Sequence, residues 1–596
     1  MILGMTPSSG ATAIRPARKR CFGRGREGGF EHGSLIQICA EITQKTAAQG
    51  SLGPAGLLES PVSGLTVSDL CLPRSRRSTR THERLRPTEN GLSSMSSSDS
   101  SRAFVARNTL LCLVISAAVG GCAVGPDFHS PAPPATEHYT QGEQPKATLD
   151  APGTAGAVQT FGSDRDIPAD WWTLFQSEPL DVLVRDSLRD SPTVASAKAA
   201  LLSAQENYLA ERGQLLLPAA DGSFSGTRQK TPGAAFGAPE IGSSTFTLVT
   251  AAVNVSYRLD IFGASRRQLE ALRAQTDYER WELEAANLSL TGNVVTTAIT
   301  IASLRAQIAA TTDVIATEQD QLNVVQKQFA AGGASRADVL TQNTQLAQTQ
   351  ATLPALEKSL DQARHRLAVL TGKTPDTNTP DLDLEHFALP TELPVSVPAK
   401  LIRQRPDVQA AEATLHQACA NVGVATANLF PQVNLTGSIG SDALGASSLF
   451  TGGTGAWSVG ASLTQPFFHG GELIHKRRAA LADLDNSAAQ YRQTVLAAMQ
   501  DVADALRALE ADARNLRAEA AAEELAAKSL EITQKQYSAG GVSHVQLLVA
   551  ERAYSEARQS RVLAEAARYS DTAALYQALG GGWWNRKDSE VKVSKQ

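Results

Sequence analysis

The sequence has few of the residues from which catalytic, metal and disulfide sites are usually built. Only 5% of its 596 residues are aromatic, and it contains four methionines and ten histidines. Six cysteines are scattered along the chain: Cys21, Cys39, Cys71, Cys112, Cys122 and Cys419. They form no CxxC pair and no even framework, so the sequence indicates neither a zinc site nor a disulfide scaffold.

Catalytic motifs are missing as well. His469 and His475 lie six residues apart, whereas a metal pair on a helix needs i, i+4 spacing or further ligands. Gly453-Thr454-Gly455 lacks the lysine of a phosphate loop, and no GxSxG elbow occurs. We therefore expect no catalytic residue, no metal site, no cofactor and no enzymatic activity.

Charge and hydropathy argue against two further classes of protein, those that bind nucleic acids and those that span a membrane with helices. Residues 1–94 carry 13 basic and 7 acidic side chains, which leaves 42 basic and 53 acidic ones for the rest. A body with a net charge of −11 is unlike a duplex-DNA-binding protein, so we expect no nucleic-acid partner. After residue 122 we expect no hydrophobic run of the ~18 residues that a membrane helix needs. A membrane-spanning part would therefore be a β-barrel.

An export signal begins at Met95. Arg102 and Arg107 precede an apolar run, residues 109–119, that is too short for a permanent membrane helix. The following Gly120-Gly121-Cys122 resembles a lipobox, whose cysteine receives a diacylglycerol and an N-acyl chain. We expect 95–121 to be a lipoprotein signal peptide, Cys122 to carry the lipid, and 1–94 to be a mis-assigned or disordered extension. The alternative for Cys122 is a buried thiol after an ordinary apolar helix.

The body of the chain is a duplication. The decapeptide at 326–335 recurs 208 residues later at 534–543, with a glycine pair at the same place in each copy. We predict two structural repeats, 191–400 and 401–584, and the first consists of a helix, two strands and a long helical hairpin. Residues 122–190 would form a lipidated N-terminal and equatorial segment, and 585–596 a disordered tail.

A heptad seam predicts the hairpins. Residues of the first long stretch recur at alternating steps of four and three: Leu290, Val294, Thr297, Ile301, Leu304, Ile308, Thr311, Ile315, Glu318, Leu322, Val325 and Phe329. A second seam follows the glycine break with a step of seven: Val339, Leu346, Leu353, Leu360 and Leu367. Two such helices joined by a short turn form an antiparallel hairpin. The stretch 265–331 would be about 100 Å long as one helix, which suits a tube across the periplasm.

Four stretches alternate apolar and polar residues with period two: 247–259, 433–439, 457–463 and a weaker one around Phe224. This pattern is typical of lipid-embedded barrel strands, although a sandwich strand with one wet face would fit any single stretch. Four strands cannot close a barrel, and lipid does not tolerate open edges. We therefore predict a mixed α/β membrane protein with internal duplication, in which three chains form a 12-stranded β-barrel above a periplasmic α-barrel.

Several motifs resemble those of one family. Cys122-Ala123-Val124-Gly125-Pro126-Asp127-Phe128, Asp170-Trp171-Trp172-Thr173-Leu174-Phe175 and Ser256-Tyr257-Arg258-Leu259-Asp260-Ile261-Phe262-Gly263 are three of them. Arg405-Pro406-Asp407-Val408 and Leu575–Trp583 follow in order and at family spacing. Together they resemble the TolC-like outer-membrane efflux proteins, in particular the NodT- or OprM-like lipoprotein branch of resistance-nodulation-division systems.

The resemblance implies a function. The chain would be the outer-membrane channel of a tripartite efflux pump, a homotrimer that passes drugs and other toxic compounds from a periplasmic adaptor and an inner-membrane pump to the exterior. It would be lipid-anchored in the bacterial outer membrane and extend into the periplasm. A type I secretion duct and a metal-efflux duct remain alternatives, as does a structural periplasmic coiled-coil lipoprotein without conductance.

The resemblance also implies sites at the hairpin turns. Family members dock their adaptor there, which gives Gly332, Gly333 and Ser335 in the first copy and Gly540, Gly541 and Ser543 in the second. Both serines are also placed to cap the returning helices. The family closes its periplasmic end near these tips, often with acidic residues. Here the stretch has Glu531, Gln534 and Lys535 without an aspartate, so a constriction at these residues is a hypothesis, and solvated coiled-coil positions are the alternative.

Overall fold

The computed structural model describes residues 123–586 except 137, 142–145, 163–164, 238–239 and 241. The described residues belong to one compact unit, residues 65–596. The predicted extension at 1–94, the signal peptide at 95–121 and the lipid site at Cys122 lie outside the described residues.

The elements of the chain repeat in the same order. Two short elements come first: β1 (Thr160–Gly162) and α1 (Glu178–Asp190). The first repeat contains α2 (Pro192–Leu216), β2 (Ala219–Pro232), β3 (Ser243–Leu259), α3 (Ala264–Ala330) and α4 (Arg336–Leu370). A connector holds β4 (Glu392–Pro394) and α5 (Pro398–Gln404). The second repeat contains α6 (Pro406–Ala427), β5 (Gln432–Ala443), β6 (Gly455–Thr464), α7 (Glu472–Ser538) and α8 (His544–Ala578).

The long helices have the predicted length. Both α3 and α7 contain 67 residues, and both returning helices, α4 and α8, contain 35. The half of α3 near its turn packs against α4, while its first half packs against α2 and α6, where His416 of α6 lies 2.9 Å from Glu270. Each long helix is thus accompanied over its length by shorter helices that cover its apolar stripe.

The heptad seam of α3 is buried over most of its length, although Leu304, Ile308 and Ile315 are half-buried and Phe329 is exposed. Leu290, Val294, Ile301, Leu322 and Val325 are all at most 5% exposed. Phe329, the last member of the predicted seam, is 46% exposed because it lies in the final turn of α3, beyond the covered part of the seam.

The four predicted strands form one antiparallel sheet in the order β2-β3-β5-β6. Neighbours β2 and β3 belong to the first repeat, β5 and β6 to the second, and the β3–β5 pairing joins the repeats, with Leu259 opposite Val433. The strands contain 10 to 17 residues, so even the shortest reaches roughly 33 Å at about 3.3 Å per residue. β2 and β6 are the edges of this sheet.

The centre of the helical part is held by an aromatic cluster that includes residues of the N-terminal segment. Trp171 and Phe175 are buried, and the indole of Trp171 stacks on Tyr576 of α8 with ring centroids 5.4 Å apart. Beside it, β1 and β4 form a two-stranded parallel sheet that the sequence analysis did not predict. This small sheet ties the segment before the first repeat to the connector between the repeats.

Two expectations need correction. One described helix, α3, contains an 18-residue window with a mean hydropathy of 1.3, so a hydrophobic run of membrane-helix length does occur after residue 122. Because 56% of that window is buried within the chain, we interpret it as the packed middle of the helix. The predicted tail also begins too early. Asn585 donates a hydrogen bond to the carbonyl of Ile167 at 2.8 Å, and Arg586 pairs with Glu284 at 3.0 Å.

Candidate functional site

One face of the four-stranded sheet is polar and internally hydrogen-bonded. Thr250 on β3 donates to Asp442 on β5 at 2.6 Å, and Asn254 on β3 donates to Ser223 on β2 at 2.9 Å. The hydroxyls of Ser438 and Ser458 are 2.8 Å apart across β5 and β6. A row of polar groups therefore runs across all four strands on this face.

The opposite face is apolar and uncovered. In one cross-strand row Val253 lies opposite Ile439, and Ile439 lies opposite Trp457. In another, Leu259 lies opposite Val433 and Val433 opposite Leu463. Trp457 is 77% exposed and Ile439 68%. An exposed apolar sheet face of this extent needs an apolar surrounding, and strands with alternating apolar and polar faces are those of membrane barrels.

The far ends of the two hairpins are built alike. Gly332 and Gly540 follow the long helices with φ of 78° and 76°, values at which glycine is favoured because it lacks a Cβ. Ser335 and Ser543 each accept a hydrogen bond from the backbone N–H three residues later, in a complete capping box. The cap positions are therefore where the sequence predicted them. The adaptor-docking role of Gly332, Gly333, Ser335, Gly540, Gly541 and Ser543 stays a prediction.

The capping serines give a first testable prediction. Replacing Ser335 or Ser543 by alanine is expected to cost about 1 kcal/mol of local stability, seen as faster amide hydrogen exchange at Asp338 or Gln546. The effect should be larger for Ser335→Ala, because the Ser335 hydroxyl also donates a charge-assisted hydrogen bond to Asp338 at 2.7 Å, whereas the Ser543 hydroxyl lies 3.4 Å from the neutral amide of Gln546. Ser335 donates to that carboxylate and holds its pKa below the usual range. Ser359→Ala in the middle of α4 is the control, and equal exchange rates in all three variants would contradict the prediction.

The two tips of one chain contact each other. The Tyr537 hydroxyl at the end of α7 donates to Oε1 of Gln328 in α3 at 2.9 Å. The ring of His544, the first residue of α8, packs edge-on against Tyr537 with centroids 5.6 Å apart and is buried. Burial lowers the pKa of His544, and the nearby Asp338 of the first tip opposes that shift. The residue after the capping serine differs between the tips. It is Arg336, an exposed cation, on the first tip and His544, a buried imidazole, on the second.

The predicted constriction residues lie on the exposed surface of α7. Glu531 and Lys535 form an ion pair along the helix at 2.6 Å, with both side chains more than half exposed, and Gln534 beside them is exposed. The pairing with Lys535 lowers the pKa of Glu531. Within one chain these three residues are solvated helix positions, and their role in a constriction stays a prediction.

The segment that follows Cys122 lies where the strands meet the helices. The backbone N–H of Val124 donates to the carbonyl of Phe262 at 3.1 Å. Gly125, with φ of 104°, lies so close to α6 that a Cβ would be 2.5 Å from Cα of Gly423. The first described residues after the predicted lipid site are therefore fixed between the end of β3 and α6.

His469 and His475, considered above as a metal pair, lie in the described part of the chain. No group of three or more His, Cys, Asp or Glu side chains is placed there to hold a metal. His469 and His475 are both exposed near the start of α7.

Comparison with known proteins decides the family. The model of the outer membrane efflux protein family matches residues 183–373 and 397–581, one match over most of each predicted repeat. The chain belongs to the outer membrane efflux protein family. It is 28% identical to the toluene efflux pump outer membrane protein TtgC of Pseudomonas putida, over 80% of this chain and 96% of that protein. It is 27% identical to the cation efflux system protein CusC of Escherichia coli, over 80% of this chain and 98% of that protein.

A solved structure shares the fold. The outer-membrane channel OprN matches with a TM-score of 0.70 and 29% identity, over 78% of this chain and all of that chain. The predicted family and the fold class, with helical hairpins and four strands per chain for a trimeric barrel, are thereby confirmed. The chain is an outer-membrane channel component of an efflux pump and extends into the periplasm.

Two buried polar clusters were not recognised from the sequence. One surrounds Glu318 and Glu551 between the hairpins, and the other surrounds Arg568 beside β1. A signal for the first was present, because Glu318 occupies an otherwise apolar seam position of α3. For Arg568 no such signal exists, since its partners Thr148 and Gln159 are more than 400 residues away.

Proposed function

We propose that three copies of this chain form a closed duct whose apolar sheet face contacts lipid and whose polar face lines the pore. The observation that carries the proposal is the four-stranded sheet with one exposed apolar face, one hydrogen-bonded polar face and two edge strands. Edge strands in lipid leave backbone groups without partners at several kcal/mol each. Pairing of β6 with β2 of the next copy removes both edges, and cyclic closure is the common symmetry of such assemblies.

The internal repeat indicates how the copies meet. Within one chain Phe262, which follows β3, stacks on Phe430, which precedes the neighbouring strand β5, with ring centroids 4.9 Å apart. At the sheet edges Phe468 follows β6 and Leu217 precedes β2, and both are largely exposed. If β6 pairs with β2 of the next copy, these two side chains meet as Phe262 and Phe430 do.

This contact gives a second prediction. A variant carrying both Leu217→Cys and Phe468→Cys should form covalent dimers and trimers on mild oxidation or with a bismaleimide, seen on denaturing gels. The controls are the two variants that carry only one of these substitutions, because they contain the same native cysteines. If the treated double variant runs only as a monomer on the gel, the proposed pairing of β6 with β2 of the next copy is contradicted.

Adaptor docking is proposed at the tips. A Cβ added at Gly332 or Gly540 would meet no atom within 4 Å, so both turns are open to a partner. Exposed apolar side chains surround them, namely Phe329 and Leu340 on one hairpin and Val545 on the other. Val545→Glu should abolish both efflux and copurification of the periplasmic adaptor while the trimer level stays normal. Loss of the trimer itself would instead assign Val545 to contacts between copies.

The cargo is proposed to be small toxic molecules delivered by a resistance-nodulation-division pump. The relatives named above are described as serving toluene in one case and cations in the other, so membership of the family is compatible with different cargoes, and in this proposal the pump selects the cargo. Deleting this chain should sensitise the cell to a panel of antibiotics and solvents, and the sensitivities identify the pump. A defect limited to a secreted protein or to metal salts would favour the type I secretion or metal-efflux alternative.

Conductance separates the duct from a purely structural lipoprotein. Purified trimers in planar bilayers are expected to conduct, whereas a structural coiled-coil lipoprotein would stay silent. Replacement of Glu531 and Lys535 by glutamine should change the conductance if these side chains face the constriction.

Mass spectrometry of the mature protein should show a triacylated Cys122 as the first residue, and Cys122→Ser should remove the lipid.

A further inference from the structure

The two hairpins of one chain are joined near their tips by buried polar side chains. Glu318 of α3, Gln342 of α4 and Glu551 of α8 are 3%, 0% and 6% exposed. Glu551 follows the first residue of α8 by seven positions, which places it about 10 Å along the helix from the tip. Buried groups of this polarity are costly unless each of them has a partner.

Most donors in this cluster are already used. Oε1 of Glu318 accepts from the Thr349 hydroxyl at 3.0 Å and from Nε2 of Gln345 at 3.2 Å. Oε1 of Glu551 accepts from Nε2 of Gln321. Nε2 of Gln342 donates to the backbone carbonyl of Glu318 at 3.2 Å and faces Oε1 of Gln321 at 3.5 Å.

Three acceptors are left without a donor. Oε2 of Glu318, Oε2 of Glu551 and Oε1 of Gln342 are buried and make no hydrogen bond. Among the ion pairs of the described residues none involves Glu318 or Glu551, so the charge of this carboxylate pair has no basic partner. Burial, and then the negative charge of Glu318, raise the pKa of Glu551 to about 8.

The number of acceptors favours a cation over a proton. One proton on Glu551 satisfies at most two of the three acceptors, and it leaves Glu318 charged and Gln342 unpartnered. A water molecule donates two hydrogen bonds but neutralises nothing. A divalent cation within reach of all three oxygens would neutralise both carboxylates and give each oxygen a partner. Calcium suits such a set because it takes oxygen ligands in flexible geometry, whereas magnesium demands a near-ideal octahedron. Soft metals would require thiolate or imidazole ligands, and this cluster has neither.

We propose that Glu318, Gln342 and Glu551 form a Ca²⁺-binding site that clamps the two hairpins of each chain together near their tips. Gln321 lies beside the site, where its carbonyl oxygen faces Nε2 of Gln342 and its amide nitrogen donates to Glu551. With two carboxylates the site differs from metal centres built from three or more acidic, histidine or cysteine ligands. Occupied, it ties α8 to α3 and α4, so calcium sets how firmly the second tip is held against the first. The site is a property of one chain and does not rest on the proposed duct.

Calcium titration of the purified full-length protein tests the site. After EDTA treatment and dialysis, wild-type protein in detergent is expected to bind about one Ca²⁺ per chain by calorimetry. Its thermal midpoint should rise by several degrees. Calcium should also slow tryptic cleavage at Arg336 and Lys535 near the tips.

The variants separate this site from surface binding. Glu318→Gln and Glu551→Gln keep the side-chain shape and should abolish the calcium-dependent rise. Gln342→Leu keeps both charges, removes the amide oxygen and should weaken binding about tenfold. Glu556→Gln is the matched control, since Glu556 lies on the same helix but is exposed and paired with Arg552 at 2.7 Å. Equal calcium responses in all four variants would show surface or lipid-bound calcium only. If calcium changes neither the thermal midpoint nor the calorimetric heat of the wild type, the proposed site does not exist.

Discussion

Arg568→Met is expected to lower the free energy of unfolding by about 3–5 kcal/mol, the range for removing one partner of a buried charge network. Arg568 is 0% exposed. Its Nη2 donates to the Thr148 hydroxyl at 2.9 Å and to the carbonyl of Ala157 at 2.7 Å, and it lies 3.4 Å from Oε1 of Gln159. One side chain of α8 therefore holds the segment before β1 in place.

The direction of this effect depends on what remains after the substitution. Nε and Nη1 of Arg568 have no hydrogen-bond partner, and burial lowers the pKa of the guanidinium, so Arg568 is itself costly to bury. Methionine would remove that cost, but it leaves the Thr148 hydroxyl, the Ala157 carbonyl and the acid pair Asp512–Asp571 without their cation. Burial and Asp571 raise the pKa of Asp512 to about 7 although Arg568 opposes the shift, and without Arg568 this pKa should rise further. The interactions lost therefore outweigh the burial cost that is removed, and the variant is less stable.

The measurement is the guanidinium midpoint of the purified protein, together with the rate of tryptic cleavage after Lys146. Arg552→Met is the matched control, because Arg552 lies on the same helix, is exposed and pairs only with Glu556. Because an exposed ion pair contributes little to stability, this variant should keep the wild-type midpoint. If the two variants unfold at the same denaturant concentration, the network around Arg568 contributes nothing measurable.

Gly582→Val is expected to prevent the C-terminal turn from packing against the N-terminal segment and to remove most of the trimer from the outer membrane. Gly580, Gly581 and Gly582 all have positive φ, with 71° at Gly582, where a β-branched residue is strongly disfavoured. A Cβ at Gly582 would lie 2.5 Å from the backbone carbonyls of both Ile167 and Pro168. Neither oxygen can move without shifting the N-terminal segment.

Backbone strain of about 1–3 kcal/mol and overpacking of about 1–3 kcal/mol add at this position. The turn also orients Trp583, whose indole donates to the Gln404 carbonyl at 2.7 Å. Loss of this anchor separates the end of α8 from α5. Immunoblots of outer-membrane fractions and the thermal midpoint of any recovered protein measure the effect. Gly452→Val, at an exposed loop glycine with open space around it, is the control, and a normal trimer level in Gly582→Val would refute the argument.

The candidate sites differ in how far the sequence could predict them. The capping role of Ser335 and Ser543 was predictable, because a cap needs only the serine and the residue three positions later. The contact between the tips, with Tyr537 on Gln328, was not, since it joins residues about 200 positions apart. Glu318 was visible as a polar residue in an apolar seam, but its partner Glu551 lies on a helix of the other repeat.

The sequence by itself determined the local architecture of this protein. The heptad step in α3 and the period of two in β3 are set by neighbours within a few residues, and they gave one helix of 67 residues and a strand ending at Leu259. It also determined that four strands per chain cannot close, which requires assembly. The tertiary structure alone decided that β3 of one repeat pairs with β5 of the other, that β1 pairs with β4, and that Arg568 reaches Thr148. A periodic pattern specifies which face of an element is buried, whereas the choice of partner depends on shape and hydrogen bonding between segments hundreds of residues apart.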